Sequence, residues 1–237
     1  MSPTRCFKVV LFSFGLLLCA PVTKSLADSE QIQVVINGTP VNLALPSGHC
    51  GMSRTLASDE RLIEMIEKGS NNTIEVILAF ADCKQLEAWR VGSRKVLDDF
   101  GQYQTLVSAK GRNFKGSEAV LIKQVCDQQR KGGQAIFDQA TATINKYLDT
   151  TVKALKVSEF KLIGILSEST QNCSMTFLQK LTTEFGDEKT QFGINTTTIL
   201  NGKVVYLNIY TRYDGEASVG KIRQKHETAL KALIAAN

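Results

Sequence analysis

Two Asn-Gly dipeptides, Asn37-Gly38 and Asn201-Gly202, each stand between arms that alternate apolar and polar residues. A two-residue hairpin turn of the I′ kind needs positive φ at both central positions, which Asn and Gly accept at least cost. Each dipeptide therefore predicts a hairpin, and the pair predicts an antiparallel sheet. In the first, Ile32, Val34 and Ile36 precede the turn and Val41, Leu43 and Leu45 follow it; in the second, Thr196–Leu200 meets Lys203–Tyr210. Pro46-Ser47-Gly48-His49-Cys50-Gly51 reads as a loop rather than a continuing strand.

Between the hairpins the period changes several times. Ser58 is placed to cap a helix with Asp59 and Glu60 in its first turn and Leu62, Ile63, Met65 and Ile66 on its apolar face, ended by Gly69–Asn72. Thr73–Phe80 reads as a central strand with Ile74, Val76, Leu78 and Phe80 on one face and Ile77 and Ala79 on the other. Cys83 then opens a short polar segment holding Trp89. Tyr103, Thr105 and Val107 mark a further strand, and Phe160–Leu166 another. From Glu118, residues Ala119, Ile122, Val125 and Cys126 share a helical face until Gly132-Gly133 breaks it. Ile136, Ala140, Ile144, Leu148, Val152 and Leu155 then predict a long helix over residues 134–156. Met175–Phe185 fits either a helix or an irregular insertion. The closing helix carries Val219, Ile222, His226, Ala229, Leu230 and Leu233 on one stripe. Strand runs at both ends with helices between and after them indicate an α+β fold, a mostly antiparallel sheet with helices packed on it.

The first 27 residues have the layout of a secretory signal peptide: Arg5 and Lys8, then an apolar run Val9–Leu18, then Ser25 and Ala27 placed for a cut before Asp28. The run is shorter than the roughly 20 residues of a spanning helix, and Leu18 before Cys19 disfavours acylation. Residues 28–237 are then expected as one globular domain, periplasmic or secreted, with no stable membrane insertion after cleavage. Removing Arg5, Lys8 and Lys24 from the 28 basic residues leaves 25 against 23 acidic ones. So small a balance gives no attraction to nucleic acid, and no nucleic-acid partner is expected.

Cys6 and Cys19 leave with the leader, and Cys50, Cys83, Cys126 and Cys173 remain. An even number in an exported chain suggests disulfides, and four cysteines allow three connectivities. The sequential one, Cys50 with Cys83 and Cys126 with Cys173, is preferred; each loop would stabilise the fold by about 3–4 kcal/mol. No Cys-x-x-Cys spacing suggests a redox or zinc motif.

Catalytic signals are sparse. His49 adjoins Cys50, but neighbours in extended chain point apart, so a thiol mechanism at Cys50 would need His226 as its base. On its stripe, His226 reads more simply as a packed histidine. Asp82-Cys83, Asp98-Asp99 and Asp187-Glu188 read as solvated turns without metal-loop spacing. Lys110–Ser117 is basic and glycine-bearing but has no phosphate-loop pattern. No metal or cofactor is expected. Tyr206, Tyr210, Arg212 and Tyr213 have the composition of an interface hot spot; the simpler expectation is that they pack under the last helix. Trp89 is either a core anchor or an exposed contact.

The stretch "TTILNGKVVYLNIYTRY", a polar loop and a helix ending "ALKALIAAN" resemble the closing hairpin and helix of Mog/PsbP-like proteins, whose bacterial envelope members are DcrB-like. The early order of hairpin, Pro46–Gly48 loop, helix and central strand is similar too. The resemblance spans about two-thirds of residues 28–237, and Lys110–Lys156 departs from the family's compact pattern. It implies an α/β/α sandwich and a non-catalytic binding or assembly role, with an envelope protein as the partner. The alternative is an envelope hydrolase or thiol enzyme using Cys50 and His226.

Overall fold

A computed structural model of the chain describes residues 30–151, 155–183 and 186–237. The expected leader, residues 1–27, lies outside them. The elements run β1 (Gln31–Ile36), β2 (Thr39–Ala44), β3 (His49–Gly51), α1 (Ala57–Gly69), β4 (Ile74–Asp82), α2 (Cys83–Arg90), β5 (Phe100–Leu106), α3 (Glu118–Thr151), β6 (Leu155–Glu168), β7 (Asn172–Thr183), β8 (Glu188–Leu200), β9 (Lys203–Arg212) and α4 (Glu216–Ala235). Strands β3 to β9 form one antiparallel sheet in the order β3-β4-β5-β9-β8-β7-β6, and β1 pairs only with β2. The fold is α+β.

Both Asn-Gly turns form as their chemistry requires: Asn37 and Gly38 lie at φ 45° and 80°, and Asn201 and Gly202 at 50° and 79°. Alternation along β9 then divides the architecture. Val205, Leu207 and Ile209 join Phe80, Tyr103, Ile194, the β1–β2 hairpin and the α4 residues Ile222, Ala229, Leu230 and Leu233 in the main core. The hairpin is pinned there by the Tyr103 hydroxyl, which donates to Ala44 O at 2.6 Å. Across the sheet, α1 and α2 cover Val76, Ala79 and Ala81, while α3 lies over β6 to β8. Helices thus cover both faces.

Several local expectations are corrected. His49–Gly51 is a short strand on the end of β4, not loop. A register shift between Val76 and Leu78 turns Val76 to the α1 side, so Val76 does not share a face with Phe80. Residues 83–90 form a helix because Asp82 accepts from Gln85 N at 3.0 Å and caps it. Ser58 does not cap α1; Leu56 stands at that position without a side-chain bond. Val107 falls in a 3₁₀ turn after β5.

Gly132-Gly133 leaves α3 unbroken. A Cβ on Gly133 would lie 2.6 Å from Leu162 Cδ2, so the glycine permits the helix to sit close on β6. Met175–Phe185 is neither helix nor insertion over its described part. It belongs to β7, where Met175 and Phe177 are buried on one face and Ser174 and Thr176 on the other. With both faces covered, period-two alternation disappears from the sequence.

Strand β6 is a sheet edge, and α3 satisfies part of its outer backbone. Gln134 Nε2 donates to Phe160 O at 2.9 Å while its Oε1 accepts from Leu162 N at 2.9 Å. Asn145 does the same for the N–H and C=O of Val157, at 2.9 and 2.8 Å. These amides occupy groups that would otherwise template another strand.

Candidate functional site

Cys50 is bonded to Cys83 and Cys126 to Cys173, with Cα atoms 4.9 and 5.7 Å apart. The first bridge ties β3 to the start of α2, and the second ties α3 to β7. Cys50 therefore presents no thiol. His226 is 1% exposed, with Nε2 2.6 Å from Thr196 Oγ1, which lies 2.7 Å from Ser174 Oγ. Burial pushes the His226 pKa down to about 4, so the ring is neutral near pH 7. Cys50 packs on the α1–α2 side of the sheet and His226 belongs to the α4 side, so the structure does not assemble a thiol–imidazole pair.

The proposed aromatic surface is also divided. Tyr206 and Tyr210 alternate with Val205, Leu207 and Ile209, so they face away from α4; packing beneath the last helix is corrected to the opposite face. Tyr210 stacks on Phe100 with centroids 4.8 Å apart and meets Phe177 edge-on at 5.8 Å. Desolvation pushes the Tyr210 phenol up to about 12 and raises Tyr206 as well. Arg212, the last residue of β9, and Tyr213 just after it are exposed, and Arg212 Nε lies 3.2 Å from Asp214 Oδ1. Trp89 is half-buried on α2 and packs against the cluster that includes Met52, Ile63 and Leu86.

Beside the first disulfide, β3, the residue just before β5 and α4 bring three side chains together. His49 is buried, its Nδ1 3.1 Å from Ser47 O and its Nε2 3.4 Å from Lys225 Nζ and 3.6 Å from Asp99 Oδ1. Lys225 Nζ is also hydrogen-bonded to Asp99 Oδ2. Burial acts to raise the Asp99 pKa, but the nearby His49 ring and the hydrogen-bonded Lys225 ammonium outweigh it and hold the carboxyl below its usual range. Asp99 is thus an ion-pair partner rather than a solvated turn residue. Asp98 is likewise paired, with Arg94 and Lys189.

This cluster backs an open groove of about 270 Å³ between α4 and the segment following β2. Leu45, Pro46 and Ala229 give it an apolar base, and Ser47, Lys221, Gln224, Lys225 and Thr228 give it a polar rim. A second groove, about 480 Å³, lies where the β8–β9 turn, the start of α3 and the end of α4 meet; Lys115, Glu118, Asn201 and Asn237 line it. Glu118 already accepts from its own backbone N–H and that of Gly116, which lowers its pKa, so the first turn of α3 carries its own anion. The basic loop 110–117 is tied down: Lys203 Nζ donates to Lys110 O and Arg112 O at 3.0 Å each, and Lys110 pairs with Glu75.

Sequence reasoning read Asp99 as a solvated turn residue and missed Lys221 and Lys225, because Asp99 and α4 are far apart in the chain and carry no shared motif. It also missed the pair Asp59–Arg90, in which a fully buried carboxylate meets Arg90 at 2.5 Å. Among the described residues no three His, Cys, Asp or Glu side chains gather as a metal site, and no described helix is long and apolar enough to cross a membrane.

No family model matches the chain, and no curated protein matches it. Among solved structures, it is similar to the solution structure of cyanobacterial PsbP (CyanoP) from Synechocystis sp. PCC 6803, with 12% identity, a TM-score of 0.39, and 90% of this chain and 96% of that one covered.

Proposed function

We propose that the chain is an exported, non-catalytic binding or assembly module of the bacterial envelope. The observation that carries this reading is the state of the groups a nucleophilic enzyme would use. Both cysteine pairs are consumed in disulfides, and the His226 imidazole is shut into the core. What remains accessible is binding chemistry: a groove with a polar, lysine-bearing rim and, at the end of β9, the exposed Arg212 and Tyr213. Two disulfides are the chemistry of an oxidising compartment, which agrees with the leader. Cleavage before Asp28 delivers the body to the periplasm or the medium, where its partner is an envelope protein.

Fractionation with intact-mass measurement tests the export half: the mature species begins at Asp28 and carries no lipid on Cys19. A chain that retains residues 1–27 contradicts it. Photocrosslinking from the rim of the groove in growing cells tests the binding half. One discrete envelope-protein adduct is expected, and absence of any adduct from either the groove or Tyr213 refutes the module.

A further inference from the structure

Lys221, Gln224, Lys225 and Thr228 recur along α4 at spacings of three and four, so they form a stripe beside the buried one. That stripe holds two ammonium groups and no carboxylate. Lys225 is neutralised by Asp99 behind it, whereas Lys221 forms no ion pair with any described residue. The facing wall is stiff: His49 N donates to Pro46 O at 3.0 Å, closing a tight turn in which the proline ring fixes one backbone angle. Leu45 and Ala229 are buried at the base, and the Ser47 hydroxyl and Gln224 amide stand at the rim.

We infer that this groove docks a segment of a partner polypeptide in which a carboxylate side chain is flanked by apolar residues. The inference rests on the binding-module reading and adds the partner's chemistry to it. Lys221 supplies the charge left unneutralised, and the carboxylate meets it at the rim with hydrogen bonds from Ser47 and Gln224. The neighbouring apolar side chain lies along Leu45, Pro46 and Ala229. A polypeptide suits the site better than a free acid, because small-molecule sites enclose most of their ligand and this groove is open to solvent. Stiff walls keep the ordering cost low.

The test is an amide-resonance titration of the oxidised protein with a blocked Leu-Glu-Leu peptide, its Leu-Gln-Leu counterpart, and hexanoate. The glutamate peptide should shift Ser47, Lys221, Gln224, Thr228 and Ala229 saturably. The glutamine peptide should bind about tenfold more weakly, as should the glutamate peptide to Lys221→Gln, with recovery in Lys221→Arg. Lys221 is not part of the core, so these variants keep the fold, and unchanged spectra elsewhere verify it. Equal binding of the two peptides, or no loss in Lys221→Gln, overturns the inference. So does hexanoate binding as tightly as the glutamate peptide, which would make the site a receptor for free carboxylates. A silent titration beside a persistent envelope crosslink from Tyr213 removes this groove and leaves the module standing; loss of both removes the module.

Discussion

Acid titration of His226 offers the most quantitative perturbation. Its Nδ1 is buried with no hydrogen-bond partner among the described residues, and its Nε2 touches only the Thr196 hydroxyl. The ring therefore stays neutral inside the protein until far below its ordinary pKa of 6.5, titrating at about 4. Because the unfolded chain binds this proton more readily, the associated stability is complete above about pH 6.5 and drains away as the pH falls toward 4. At about 1.36 kcal/mol per pH unit, that window is worth about 3 kcal/mol. Urea unfolding between about pH 7 and pH 4.5 measures it, with His226→Gln as the non-titrating reference. The unmodified protein should lose roughly 2–3 kcal/mol more than the variant over that range. Asp99 enters on the acid side, since a carboxyl held below its usual range weakens the fold only when protonated. Parallel pH dependences for the two proteins would refute the buried, neutral imidazole.

Gly193→Ala places a Cβ 2.2 Å from the Phe177 ring, which is itself packed against Phe137, Phe160 and Tyr210. Overpacking of this kind should cost about 1–3 kcal/mol, read as a lower Tm. Gln134→Ala uncovers the backbone of Phe160 and Leu162 on the β6 edge; it should lower stability by about 1 kcal/mol and raise concentration-dependent light scattering. Graded reduction should open Cys50–Cys83 before Cys126–Cys173, because the first pair is partly exposed and both sulfur-bearing residues of the second are 0% exposed. Differential alkylation with peptide mapping reads the order. Removing the first bridge by Cys50→Ser should cost about 2–5 kcal/mol in denaturant unfolding.

What was legible in the chain was what local chemistry alone decides. Asn-Gly at 37–38 and 201–202 determines its own turn, and the stripe Ile222–Leu233 determines its own helix face. Three of the misreadings have a tertiary cause. Gly132-Gly133 weakens a helix by propensity, yet close packing of Gly133 on Leu162 keeps α3 continuous. Strand β7 lost its alternation because helices cover both faces of the sheet. Alternation correctly placed Tyr206 and Tyr210 together, but which face α4 covers depends on the whole topology. The groove and the His49–Asp99–Lys225 cluster had no signature, since their members come from the segment after β2, from β3, from the residue before β5 and from α4, and meet only in the folded chain.

Thiol accounting on the folded, exported protein tests the central claim most directly. A non-catalytic module held by two bridges predicts no label from a thiol reagent under native conditions, a mass lowered by four hydrogens, and linked peptides joining Cys50 to Cys83 and Cys126 to Cys173. A Cys50 that labels readily without denaturant would contradict the account and restore the thiol-enzyme alternative.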